Sequence, residues 1–304
     1  MKYSGIGGQA VIEGIMMMKG EDYAVAVRRP DKEIEVKKDT YQSITKKAKI
    51  LQLPFVRGVF RFADSMIIGM RSLTYSASFF EDDEDAEPGK FEQFLDRVFG
   101  EKLESAIMAA VLVISFILAI GIFMLLPLGI ANLFKGVITS DHLMAVLEGV
   151  IRIAIFIIYI KLVSRMEDIR RTFMYHGAEH KCINCVEHGH PLTVKYVRES
   201  SKEHKRCGTS FILIVMVISI LMFMVIRVDT IWMRILSRII LVPVIAGISY
   251  EVLQCAGRSN SKFMDLVSRP GMWMQGLTTK EPDDSMIEVA IAATEAVFDW
   301  REYL

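Results

Sequence analysis

Four long stretches of this chain are apolar around their whole circumference: residues 106–134, 143–163, 211–226 and 235–253. A helix of about 20 residues crosses the ~30 Å hydrocarbon layer of a bilayer, and each stretch is near or above that length. The first is almost uninterrupted, with Pro127 marking a kink or an end. The second carries Glu148, Arg152 and Lys161, and the first two are four apart, placed to neutralise each other on one helix face. The third has no charge. The fourth holds Arg238 and Pro243 and is flanked by Arg234, so its arginines must reach the boundary or find partners. The pattern predicts four transmembrane helices.

Outside these stretches the periodicity changes. Residues 23–29 and 33–38 alternate apolar and polar either side of Pro30-Asp31, which predicts a β-hairpin. Residues 55–73 place apolar positions at helical spacing with Arg57, Arg61 and Arg71 between them. Such a helix lies on anionic lipid at the membrane interface or packs against the spans. Residues 81–89 read as an acidic, solvated linker, Arg269-Pro270-Gly271 as a turn, and 285–302 as an amphipathic packing helix. The expected fold is therefore mainly α: a polytopic membrane protein with about four transmembrane helices plus a small N-terminal α+β cytoplasmic region. Residues 1–80 would hold the hairpin and interfacial helix, and 81–105 the acidic linker and a pre-span helix. Residues 106–253 would form the membrane region with a cytoplasmic His/Cys loop at 164–208, and 254–304 a cytoplasmic tail.

Charge adds an orientation. The formal net charge is zero, but the 36 Lys and Arg are segregated. The first 105 residues carry sixteen, the 161–208 connection ten, and the segment after Leu253 five. The other two connectors hold only Lys135, and Arg227 with Arg234. By the positive-inside rule both termini and the His/Cys loop face the cytoplasm, where thiols stay reduced. Residues 1–20 lack a basic start followed by an apolar run, so no cleavable signal is expected. The partner is a lipid bilayer, with no nucleic acid expected.

The chemistry is concentrated in that loop. In His176-Gly177-Ala178-Glu179-His180 the two histidines are four apart, and on a helix both face one divalent metal. Glu179 lies beside them as ligand or general base, in the H-x-x-E-H order of inverzincin proteases. Cys182 and Cys185 follow as C-x-x-C, then Glu187, His188, His190, and His204-Lys205-Arg206-Cys207. Five of six His and three of four Cys fall between 176 and 207, a mixture of imidazole, thiolate and carboxylate that suits zinc or another divalent transition metal. The glycine-rich opening, Gly5-Ile6-Gly7-Gly8-Gln9-Ala10-Val11, lacks the Lys-Ser/Thr of a phosphate loop and the dinucleotide spacing. It reads as backbone that another segment approaches closely.

Four blocks carry a resemblance: Gly7 to Gly14 (GGQAVIEG), His176 to Lys181 (HGAEHK), Arg206 to Phe211 (RCGTSF) and Gly276 to Pro282 (GLTTKEP). Together the chain resembles the YqhQ-like family, bacterial membrane proteins with a domain of unknown function described as a predicted metal-dependent enzyme. The resemblance implies a bacterial inner-membrane location and points to His176, Glu179, His180, Glu187, His204 and Cys207. Lys205 stands where the family's His-Pro-Arg-Cys pattern has Pro, which loosens the turn presenting Cys207, and Cys182 falls outside the pattern.

Two functions compete. In the first, His176, His180 and one of His204 or Cys207 hold zinc in a membrane-embedded hydrolase at the cytoplasmic face, acting on a membrane protein or lipid. Glu179 then takes a proton from water. In the second, His176, His180, His204 and Cys207 close a four-ligand structural site in a non-catalytic assembly or interaction factor. A solute transporter is disfavoured by the scarcity of paired ionisable residues mid-span.

Overall fold

A computed structural model of the chain describes residues 3–80, 103–226, 230–258 and 261–301. The acidic linker at 81–89 lies outside the described residues, as does Arg227. The chain divides into two compact units, residues 1–80 with 159–304, and residues 81–158.

In the first unit, the N-terminal segment forms a four-stranded antiparallel sheet in chain order: β1 (Ile6–Val11), β2 (Gly14–Lys19), β3 (Asp22–Arg28) and β4 (Ile34–Thr40). The expected hairpin is the β3–β4 pair, with Arg28 opposite Ile34. Successive side chains point to opposite faces, and here both faces are covered. Ile15, Met17 and Ala26 join one cluster with Ala178, Ile183 and Ile287. Met16, Val25 and Val27 face the other way, with Tyr41 and Ile68. That second face is covered by α1 (Val56–Ala77). The first is covered by α5 (Glu167–Glu187) and α10 (Asp284–Val297).

Two more helices of this unit are long and apolar, α7 (Gly208–Val225) and α8 (Ile231–Arg258). They pack on each other, and α9 (Lys262–Thr278) packs on both. The buried Arg238 guanidinium lies 5.1 Å from the Phe223 ring centroid. α1 is tied to α8 by Arg57, whose Nε donates to Glu251 at 2.7 Å. The short α6 (Val194–Glu199) lies against α5 and α10.

In the second unit, α2 (Leu103–Ile120) runs through a π-helical turn (Gly121–Leu125) into α3 (Leu126–Asn132). Pro127 sits in the first turn of α3, where its missing N–H costs little. α4 (Asp141–Val163) carries the expected pair, with Arg152 donating to Glu148 at 2.6 Å. Among the described residues, four helical windows are long and apolar enough to cross a membrane: Ala110–Asn132, Asp141–Val163, Gly208–Val225 and Leu236–Gly257. No more than 22% of any window is buried, as surfaces that meet lipid require.

Two expectations are corrected. The His/Cys stretch is mostly helical rather than a loop, and its helix is separate from the second span. α4 ends at Val163, Met166 is extended, and α5 starts afresh at Glu167 with Glu167 and Asp168 in its first turn, where the helix dipole favours acids. Arg269-Pro270-Gly271 lies inside α9 instead of forming a turn. Packing decides this: a Cβ on Gly271 would sit 2.7 Å from Ser210 Oγ, so the helix must stay unbroken and close to α7. Within the segment 254–304, the packing helix expected at 285–302 forms as α10 and joins the core.

Candidate metal centre

His176 and His180 lie one turn apart on α5, with ring centroids 4.4 Å apart. Their second nitrogens are held by backbone. His176 Nδ1 donates to the Thr278 carbonyl at 2.9 Å, and His180 Nδ1 donates to the Lys202 carbonyl at 2.7 Å. A carbonyl can only accept, so both rings carry the proton on Nδ1 and leave the Nε2 lone pair free. Fixing a histidine in this way is how proteins aim a metal ligand.

The third donor arrives on a strap, residues 200–207, which has no ladder of its own to satisfy its carbonyls. Side chains of α5 do so instead. Lys181 Nζ donates to the carbonyls of Arg198 and Ser200 at 2.8 and 2.9 Å. Asn184 Nδ2 donates to those of Ser201 and Glu203 at 2.7 and 2.9 Å. Fully buried Gln275 clamps both sides of His204, accepting from its N–H at 2.9 Å and donating to its carbonyl at 2.7 Å. The turn therefore holds although Lys205 replaces Pro, and Lys205 itself pairs with Asp265 at 2.6 Å. Cys207 ends the strap as N-cap of α7, its Sγ accepting from the Thr209 N–H at 3.4 Å. That sulfur is 3.3 Å from His176 Nε2.

One donor atom from each of His176, His180 and Cys207 lies within 4.8 Å of the others. Ligands at ~2.0–2.3 Å from tetrahedral zinc stand roughly 3.3–3.8 Å apart, so a shift of about 1 Å closes the set. Two imidazoles and a thiolate fit zinc, and the residues present fit the ion.

Glu179 is buried on the neighbouring face of α5. Burial raises its carboxyl above the usual range, opposed by the charge of His176 and the backbone N–H of Gly8. β1 presses directly on it: a Cβ on Gly8 would fall 2.9 Å from Glu179 Cγ and 2.7 Å from the Met16 carbonyl. The close approach read from the glycine-rich opening is this contact. Gly177 does the same on the other side, where a Cβ would lie 2.0 Å from the Lys280 carbonyl. There the Lys280 N–H donates to the Phe173 carbonyl at 2.8 Å. Glu13 accepts from Arg171 and from the Tyr175 hydroxyl, at 2.5 and 3.2 Å. All four sequence blocks thus meet on α5. Thr278 and Lys202 act through main-chain carbonyls and Gln275 through a buried amide, none of which a ligand motif reveals.

His204 is engaged elsewhere. Its Nε2 is 3.4 Å from Glu187, and its ring centroid is 5.9 Å from that of His180. Glu187 also accepts from the Ser4 N–H at 2.9 Å, the Ser4 hydroxyl at 2.8 Å and the Arg206 guanidinium. Burial pushes the Glu187 carboxyl up, but the His204 hydrogen bond, the Ser4 donors and Arg206 outweigh it and hold it at about 2. Burial lowers His204 more than Glu187 raises it. In both cases the unfolded chain binds protons that the folded chain refuses. Stability should therefore be whole at neutral pH, begin to fall as pH drops through the ordinary His value of 6.5, and fall further from 4.5 towards 2. Denaturant titrations from pH 7 to 3 measure this, and Glu187→Gln should flatten the lower part of the profile.

The remaining candidates are structural. Cys182 and Cys185 are core residues on the far side of α5, and burial raises both thiols. His188 Nδ1 donates to the Asn184 carbonyl at 2.7 Å, and His190 stacks on Tyr196 with centroids 5.6 Å apart.

Comparison with known proteins gives a family and no reaction. Residues 53–300 match the family described as "Protein of unknown function (DUF1385)". The chain is 34% identical over 286 residues to the uncharacterized protein YqhQ of Bacillus subtilis (strain 168), covering 94% of this chain and 89% of that one. No solved structure matches. A family match over most of the chain and a relative aligned nearly end to end agree: the chain belongs to the DUF1385 family of YqhQ-like proteins, whose function is unknown.

Proposed function

We propose that this protein is a membrane-embedded, metal-dependent hydrolase of the bacterial inner membrane. In this reading His176, His180 and Cys207 hold zinc or another divalent transition metal at the cytoplasmic face, and the substrate is a membrane-protein segment or a lipid. The observation that carries the reading is the number of converging donors. Three protein ligands leave a coordination position for water or substrate, whereas a closed structural site takes four. His204, the candidate fourth ligand, is turned to Glu187. The metal, when bound, would supply Lewis acidity and lower the pKa of water. Glu179 takes a proton at its carboxylate and returns it to the leaving group, and its raised pKa suits both directions. The Thr278 and Lys202 carbonyls keep the two imidazoles aimed. The Lys and Arg distribution supports a cytoplasmic position for both termini.

A structural staple is the second reading, favoured by the buried thiol at the start of α7. Glu179→Gln separates the two. It keeps the shape and removes the base, so a hydrolase should retain its metal and fail to rescue a deletion strain. Full rescue with metal retained would leave only the staple.

A further inference from the structure

A second cavity lies on the opposite face of the sheet from the His/Cys cluster. Its volume is about 480 Å³, and it is bounded by β3, β4 and the C-terminal half of α1, with Lys37, Asp39, Met70, Arg71, Ser72 and Tyr75 in its wall. Among the described residues, neither Lys37 nor Arg71 makes an ion pair with a carboxylate. Lys37 Nζ is 4.8 Å from the Tyr75 centroid, and Arg71 Cζ is 5.7 Å from that of Tyr41, with its guanidinium also approaching the Tyr23 hydroxyl. Asp39, the acid of the wall, already accepts from the Tyr23 hydroxyl at 3.2 Å and the Thr40 N–H at 2.7 Å.

Two cations around one space call for an anion with several acceptor oxygens, which is the chemistry of phosphate. The surroundings name its source. Phe62, Met66, Met70 and Leu73 fall on one side of α1 and are exposed, and Met70 also lines the cavity. The same helix packs on the membrane helices, through Arg57 on Glu251 and through Phe62, 5.7 Å from Phe211. The apolar side of α1 is thus continuous with surfaces that meet lipid.

We propose that this cavity binds the phosphate of an acidic phospholipid headgroup, whose acyl chains run along the Phe62–Met66–Met70–Leu73 side of α1. The site is independent of the metal centre. It anchors the sheet to the membrane surface and makes the protein selective for anionic bilayers.

The test uses the full chain purified in neutral detergent. Dioleoylphosphatidylglycerol, dioleoylphosphatidylcholine and inorganic phosphate are added separately, with native mass spectrometry counting the first lipid adduct and thermal unfolding recording stabilisation. Wild type should bind phosphatidylglycerol about tenfold more tightly than phosphatidylcholine, and the double change Lys37→Gln with Arg71→Gln should abolish that preference. Unchanged phosphatidylglycerol binding in the double variant would overturn the proposal. So would equal stabilisation by inorganic phosphate at the same concentration, which would make the ligand free phosphate rather than lipid.

Discussion

If the His/Cys cluster holds zinc, as proposed, the His180→Ala variant is expected to retain less than about a tenth of the wild-type metal, by loss of one of three ligands. His176→Ala and Cys207→Ser should lose metal comparably, because each removes a donor of the same cluster. His204→Ala is the informative contrast. Its imidazole is spent on Glu187, so the variant should keep its metal and lose stability, having left a buried carboxylate with one donor fewer. Metal analysis of the four proteins, with thermal unfolding alongside, decides between three ligands and four. Metal loss in His204→Ala equal to that in His180→Ala would restore the closed site.

The second large effect is expected at Gly177. A methyl group there would lie 2.0 Å from the Lys280 carbonyl, a backbone atom held by its hydrogen-bonded neighbour on α5. Neither side can yield without separating α5 from the 278–282 segment. Gly177→Ala should therefore destabilise the fold by about 1–3 kcal/mol or more, the range for overpacking. It should also weaken metal binding, since the displaced segment carries the Thr278 carbonyl that aims His176. Gly276→Ala is the control. No atom stands within 4 Å of the added methyl, and alanine favours a helix over glycine, so stability should hold or rise by up to about 1 kcal/mol. Denaturant unfolding of both variants measures the difference, and a neutral Gly177→Ala would remove close packing as the reason for that glycine.

Much of this architecture was legible in the residues. The four membrane helices declare themselves because lipid imposes a single requirement, a long apolar surface on every side. The β3–β4 hairpin was legible because β4 is half exposed and alternates. β1 and β2 were not, and the reason is physical. Both faces of β2 are buried, so Gly-Ile-Met-Met-Met-Lys has no polar alternation, and β1 spends Gly8 on contact with α5. At the candidate metal centre, helical spacing pointed to His176 and His180. Proximity along the chain suggested Cys182 and Cys185 as well, yet they face the core because 3.6 residues per turn carries them round the helix. Glu187 with His204 could not be separated from the ligands by residue type. A carboxylate and an imidazole look alike as ligands and as an ion pair until Ser4 and Arg206 arrive from elsewhere in the chain.

The sheet has a consequence for how this protein is made. Strands β2 and β3 are complete by residue 28, but α10, which closes over Met17 and Ala26, begins at Asp284. At about 5–20 residues per second, the ribosome needs on the order of ten to fifty seconds to reach it. All four membrane helices are synthesised in that interval. The newborn sheet therefore waits, with one oily face at most half covered by α5, until the last helix emerges and seals the first strands into place.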